Sequence, residues 1–178
     1  MKTARVAAAA LVAIALAAAP LGAQDNANMI TATKGQFDMV KGYITKAAEQ
    51  VTEANYAFKA TPEVRSFGQL IGHVADSNYM ICGAAAGEKA PGGIEKSATT
   101  KAALQKGLAE SFAYCDRVFA GMTGGITKSE ELVSFFGNKQ PRLAVLAFNT
   151  AHDFEHYGNI ITYMRLKGMV PPSSQRGM

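Results

Sequence analysis

The chain has three histidines, His73, His152 and His156, and their spacing is the first sign of chemistry. Two are four residues apart. On an α-helix that separation puts both imidazoles on one face, about one turn apart, within reach of a single metal ion. His73 would complete a set of three nitrogen ligands from elsewhere in the chain. Three imidazoles without a fourth protein ligand leave coordination positions open, as suits metal-bound water and catalysis rather than a closed structural site. The competing reading is three ordinary helical histidines, hydrogen-bonded or at the surface.

The segment His152-Asp153-Phe154-Glu155-His156 also satisfies His-x-x-Glu-His, the inverzincin protease pattern in which the Glu would be general base. Only 22 residues follow His156, and the surrounding sequence lacks the strands of a large mixed-fold peptidase, so that reading is set aside. Glu155 remains a candidate to hold an imidazole N–H from behind, and Asn159 is a candidate for a similar outer position. Asn149, Asn159 and Tyr163 could orient a substrate. Hydrogen bonding inside a helical bundle accounts for them equally.

Four helical segments must position these residues. In the first, about Met29 to Asn55, Phe37, Val40, Ile44, Ala47 and Val51 recur at steps of three and four and form one apolar stripe. The second opens at Ser66 with Gln69 three residues on, a capping-box pattern, and runs to about Gly83 with His73 two turns inside. Residues 84–98, rich in Gly, Ala and Lys, form a long connection that permits a crossover between helices running the same way. The third helix, about Thr100 to Met122, carries Leu104, Leu108, Phe112, Cys115 and Phe119 on one stripe and ends at Gly124-Gly125.

A further loop, 123–140, holds apolar Leu132, Val133, Phe135 and Phe136, expected to cover a bundle end or a partner; no convincing strand pattern competes with the helices. The fourth helix starts near Pro141, a residue suited to the first helical position, and stops near Lys167 before Gly168 and Pro171-Pro172. Val145, Asn149, His152, His156, Asn159 and Tyr163 share its inward face. Residues 173–178 read as a frayed tail.

Residues 1–23 read as a secretory signal peptide. Lys2 and Arg5 precede an Ala/Val/Leu/Ile run from Val6 to Ala19, and Leu21-Gly22-Ala23 supplies a small residue at the cleavage position. The run of 14 residues is short of the roughly 20 that a spanning helix needs, an uncleaved anchor being the alternative. The mature chain, 24–178, is then a single exported domain, periplasmic or secreted, with no membrane segment after cleavage. Losing Lys2 and Arg5 lowers the net charge from +4 to +2. With no Lys/Arg cluster, nucleic-acid binding is not expected.

Export also bears on Cys82 and Cys115, an even pair in a compartment that permits oxidation. They form a disulfide or stay as two buried thiols. Cys82 lies nine residues after His73, about 180° around an ideal helix, so it is not expected to join the histidines.

Two motif blocks, Thr61-Pro62-Glu63-Val64-Arg65-Ser66-Phe67 leading through Leu70 to His73, and His152-x-x-x-His156-Tyr157-Gly158-Asn159 followed by Tyr163-x-Arg165-x-x-Gly168-x-x-Pro171-Pro172, resemble the DinB superfamily. The resemblance covers about residues 29–172. It implies an all-α, four-helix bundle, up-down-down-up, with a long crossover between helices 2 and 3. It further implies a divalent metal, zinc or nickel, on His73, His152 and His156, and a homodimer. Characterised relatives include thiol transferases and isomerases that use bacillithiol or mycothiol, and many others are assigned only as metal-dependent hydrolases. The expected activity is therefore that of a metal-dependent hydrolase or transferase acting on an unknown small-molecule substrate. The alternative is a non-catalytic helical bundle that binds a metal or small ligand.

Overall fold

The computed structural model describes residues 21–122 and 126–175. The expected signal peptide lies outside them up to position 20, as do Gly124-Gly125 and the last three residues. Helix α1 spans Leu21–Gln50, α2 Phe67–Ala86, α3 Ile94–Ser97, α4 Lys101–Ala120, α5 Ile126–Glu130 and α6 Arg142–Leu166. The four long helices are α1, α2, α4 and α6. No described helix is long and apolar enough to cross a membrane.

The apolar stripes do what their spacing predicts. Phe37, Val40, Ile44 and Ala47 of α1 are fully buried, and Leu104, Leu108, Phe112, Cys115 and Phe119 line the core from α4. Helix α1 stops short of the expected Asn55. Its last carbonyls are taken by side chains: Tyr56 Oη and Gln105 Nε2 donate to Ala48, while Lys101 Nζ donates to Glu49 and Val51. A cation and buried donors at this end satisfy orphan acceptors and oppose the negative pole of the helix, so the chain turns instead into a 3₁₀ segment, Glu53–Ala57.

Cross-contacts fix the topology. Lys101 at the start of α4 meets the end of α1, and Lys41 in α1 pairs with Asp116 late in α4 at 2.6 Å, so α1 and α4 are antiparallel. Leu104 packs over Gly68 and Cys115 joins Cys82, so α2 and α4 run the same way. Tyr163 donates to the Arg65 carbonyl and Asn149 to Asn78, which makes α6 antiparallel to α2. The result is the up-down-down-up bundle, with α4 and α6 each packed against both α1 and α2.

The connections carry more structure than their composition suggests. The crossover between α2 and α4 contains α3. The region read as loop contains α5 and a hairpin, β1 Leu132–Phe135 with β2 Asn138–Pro141, paired antiparallel. Val133 and Phe135 point into the core while Leu132 and Phe136 stay exposed, the period-2 pattern of a half-buried strand. The turn residues Phe136 and Gly137 both have positive φ, 47° and 78°, as a two-residue hairpin turn that matches strand twist requires. Pro141 caps α6 from outside rather than opening it. At the other end Gly168 adopts φ 70°, and the amides of Gly168 and Met169 return to the carbonyls of Arg165 and Met164. Residues 173–175 are not frayed: Ser173 exchanges hydrogen bonds with the Tyr157 hydroxyl, both 2.9 Å, and Pro172 is buried.

Candidate metal centre

The expected capping box forms at the start of α2. Ser66 Oγ accepts from the Gln69 amide at 3.1 Å and Gln69 Oε1 accepts from the Ser66 amide at 2.8 Å. Two orphan donors are thereby satisfied, and the helix begins at a fixed residue, which places His73 opposite α6. His152 and His156, one turn apart, face it across the interface. Potential ligand nitrogens of the three residues all lie within 4.8 Å of one another. The Nε2 atoms of His152 and His156 are 3.0 Å apart, and the His73 ring stands edge-on to His156 with centroids 4.7 Å apart.

Burial sets the charge state. His156 is 7% exposed, and its pKa is pushed down to about 4 by desolvation first, then by His152, His73 and Arg65. Desolvation also lowers His73, where Arg65 adds to the effect and Glu95 opposes it, and lowers His152, where His73 adds to it. At neutral pH the cluster is three neutral imidazoles, the form that donates lone pairs to a metal. The donor set fits a divalent ion: two metal–nitrogen bonds of about 2.0–2.1 Å meeting near a right angle separate their nitrogens by about 3 Å. His152 Nδ1 is buried and has no protein hydrogen-bond partner.

The residues around the cluster differ in part from those the sequence suggests. Asn159, although exposed, brings Nδ2 within 3.4 Å of His156 Nδ1. Glu155 is exposed, and its effect on His152 is a favourable charge. The carboxylate at the cluster is that of Glu95 on α3, with Oε2 3.5 Å from His73 Nδ1 and Oε1 2.9 Å from Arg65 Nε. Of the proposed substrate-orienting groups, Tyr163 spends its hydroxyl proton on the Arg65 carbonyl at 2.6 Å, and Asn149 is fully buried, donating to Asn78 Oδ1 at 2.9 Å. Sequence reasoning missed Asp153. It is fully buried beside Asn149, one carboxylate oxygen lacks a hydrogen-bond partner, and desolvation raises its pKa well above the usual carboxylate range.

Beside the cluster and reaching His156, a cleft of about 460 Å³ is lined by Glu63, Val64, Arg65, Leu70, Glu95, His156, Asn159 and Tyr163. The two cysteines meet between α2 and α4, with Cα atoms 5.4 Å apart and their sulfurs joined, and neither belongs to the histidine cluster.

Fold and site together define a mostly helical bundle protein, with one small hairpin and a tri-histidine cluster shared by its second and last long helices. The chain belongs to the DinB superfamily, whose model matches residues 36–160. It is similar to a DinB-like protein of Bacillus subtilis, at 20% identity and TM-score 0.61, over 85% of this chain and 99% of that one. A DinB-like protein of Bacillus cereus aligns at 14% identity and TM-score 0.67, over 79% of this chain and 93% of the other. At these identities the likeness establishes the fold. No curated protein matches the chain.

Proposed function

We propose that the chain is an exported metalloprotein that holds a divalent ion, zinc or nickel, on His73, His152 and His156 and acts as a hydrolase or transferase on a small molecule entering the cleft beside His156. The observation that carries this reading is the convergence of three neutral imidazoles at a cleft, with two Nε2 atoms 3.0 Å apart. Bound there, the ion would act as a Lewis acid on a substrate oxygen or lower the pKa of a coordinated water or thiol. The chain's own residues divide the remaining work. Asn159 brings its side-chain amide nitrogen within 3.4 Å of His156 Nδ1; with the amide flipped, its oxygen would accept the Nδ1 proton and direct Nε2 inward. Tyr163 secures the 61–66 segment through the Arg65 carbonyl, keeping Arg65 among the residues that line the cleft.

The test is metal analysis of mature protein purified from the exported fraction, followed by a substrate screen of the loaded form. About one metal per chain is expected, lost in His152→Ala and kept in the surface control Phe154→Ala. A cobalt-loaded protein whose visible spectrum responds to azide, together with turnover inhibited in parallel, supports the enzyme. A spectral response with no turnover in any substrate class assigns the chain to metal-dependent binding instead, and no metal uptake rejects the proposal outright.

A further inference from the structure

We propose that Glu95, on the short α3 of the crossover, is the positioning residue for His73: its carboxylate holds the Nδ1 proton, so that Nε2 faces the other two imidazoles with its lone pair free. This rests on the metal reading above and names a member of that site which neighbouring sequence does not suggest, since Glu95 is 22 residues from His73 in the chain and 57 from His152.

Three observations carry it. The first is the contact. Glu95 Oε2 lies 3.5 Å from His73 Nδ1, the outer edge of hydrogen-bond length, while Arg65 Nε at 2.9 Å from Oε1 holds the carboxylate in that orientation. A neutral imidazole donates through one nitrogen and accepts through the other, so an anionic acceptor at Nδ1 leaves Nε2 as the ligand atom.

The second is the way α3 is fastened. The amides of Ile94 and Glu95 donate to the two carboxylate oxygens of Asp76, at 2.8 and 3.0 Å. Asp76 is three residues beyond His73 on the same helix, so carboxylate and imidazole are tied to one turn of α2.

The third is the backbone fit. A Cβ at Gly72, the residue before His73, would meet the Glu95 Cα at 2.6 Å, and one at Gly107 of α4 would meet Ile94 Cγ2 at 2.7 Å. Glycines at both places let α3 lie directly against α2 and α4. No larger residue at position 72 could keep Glu95 at this height on the helix.

Two readouts test the assignment. Nitrogen-detected histidine NMR of the metal-stripped protein at about pH 7.5 reports the tautomer of each ring. His73 is expected as the Nδ1–H form, shifting toward Nε2–H in Glu95→Ala. Zinc affinity, measured by competition with a chelator, is expected to weaken about 10- to 100-fold in Glu95→Ala. Gly72→Ala, which displaces α3 while retaining every polar group, should weaken it similarly. Glu155→Ala should leave the His73 tautomer unchanged and weaken zinc binding far less than Glu95→Ala. An Nε2–H tautomer at His73 in the wild-type protein would overturn the proposal, and that measurement depends on no variant folding. Unchanged zinc affinity in Glu95→Ala, or a loss in Glu155→Ala that matches it, would also overturn it. If the wild-type protein binds no metal, the metal reading fails while the His73 tautomer still decides the role of Glu95.

Discussion

Breaking the Cys82–Cys115 bridge should destabilise the fold by an amount the topology sets. The two residues are 33 apart in sequence, and the loop they close contains the whole crossover between α2 and α4. In the chain-entropy model a loop of that size restricts the unfolded chain by about 3.7 kcal/mol at 25 °C. A domain of roughly 150 residues has an unfolding entropy near 0.3 kcal/mol/K, so the bridge corresponds to a rise in Tm of about 12 °C. Both cysteines are fully buried, so reductant reaches the bond through opening of the bundle and the native protein should be reduced slowly. The assay is thermal unfolding by circular dichroism of oxidised protein, of protein reduced in denaturant and refolded under reductant, and of the double variant Cys82→Ala/Cys115→Ala. The oxidised form should melt highest by roughly 10 °C. A shift below about 3 °C would refute the argument that this link restrains the unfolded chain. Two alkylatable thiols in protein prepared under oxidising conditions would refute the bridge itself.

Metal-stripped protein should lose stability as pH falls from 6.5 toward 4. The folded pKa of His156 is depressed, so the unfolded state binds more protons in that window, and the loss from this residue is about 3 kcal/mol, absent in His156→Asn and measurable by urea unfolding across the range. Asp153 has the opposite sign: its pKa is raised, so its contribution is full below about 3.8 and is lost as pH rises through the folded value. Asp153→Asn should therefore stabilise the metal-stripped protein at pH 8, by on the order of 1 kcal/mol or more in the same titration, with little gain at pH 4. Phe135→Ala, which empties a buried hairpin position, should lower stability by about 3 kcal/mol in urea unfolding while leaving zinc stoichiometry intact.

The long helices were legible because their signals are local. The Ser66/Gln69 box, the i, i+3, i+4 stripes of α1 and α4, and Gly168 before Pro171 each act within a turn or two of themselves. The His152/His156 spacing is of the same kind, and its meeting with His73 followed from the bundle. What lay beyond reach depends on contacts distant in sequence. Glu95 sits in a Gly- and Lys-rich connection whose composition reads as loop, and it reaches His73 because Gly72 and Asp76 accept α3 on α2. Asp153 was missed because the inward face of α6 is wider than one stripe. The helix packs on both α1 and α2, so a second row, Leu146, Thr150, Asp153, Tyr157, Ile160 and Met164, is buried as well. Its spacing from Leu146 and Ile160 was the available clue. The hairpin has only four residues per strand, too short for a decisive alternation, and its Phe-Gly turn lacks the usual Asn-Gly signature.

The ties between helices are unevenly distributed. Helix α2 is fastened to α4 by the disulfide and to α6 by the buried Asn78–Asn149 pair and the histidine cluster, whereas α1 is held without a covalent link, by packing of residues such as Phe37 and Ile44, by ring stacking of Tyr43 on Tyr157, by Lys41 on Asp116, and by the Lys101 and Gln105 hydrogen bonds at its C-terminal end. The bundle is thus a three-helix frame with a fourth member laid against it. Amide exchange is therefore expected to be faster in α1 than in α2, which the disulfide and the buried Asn78–Asn149 pair tie to two neighbours. Since the three imidazoles lie on α2 and α6 and none on α1, an opening of α1 that uncovered the apolar flank of α4 and α6 would remove no ligand from the cluster.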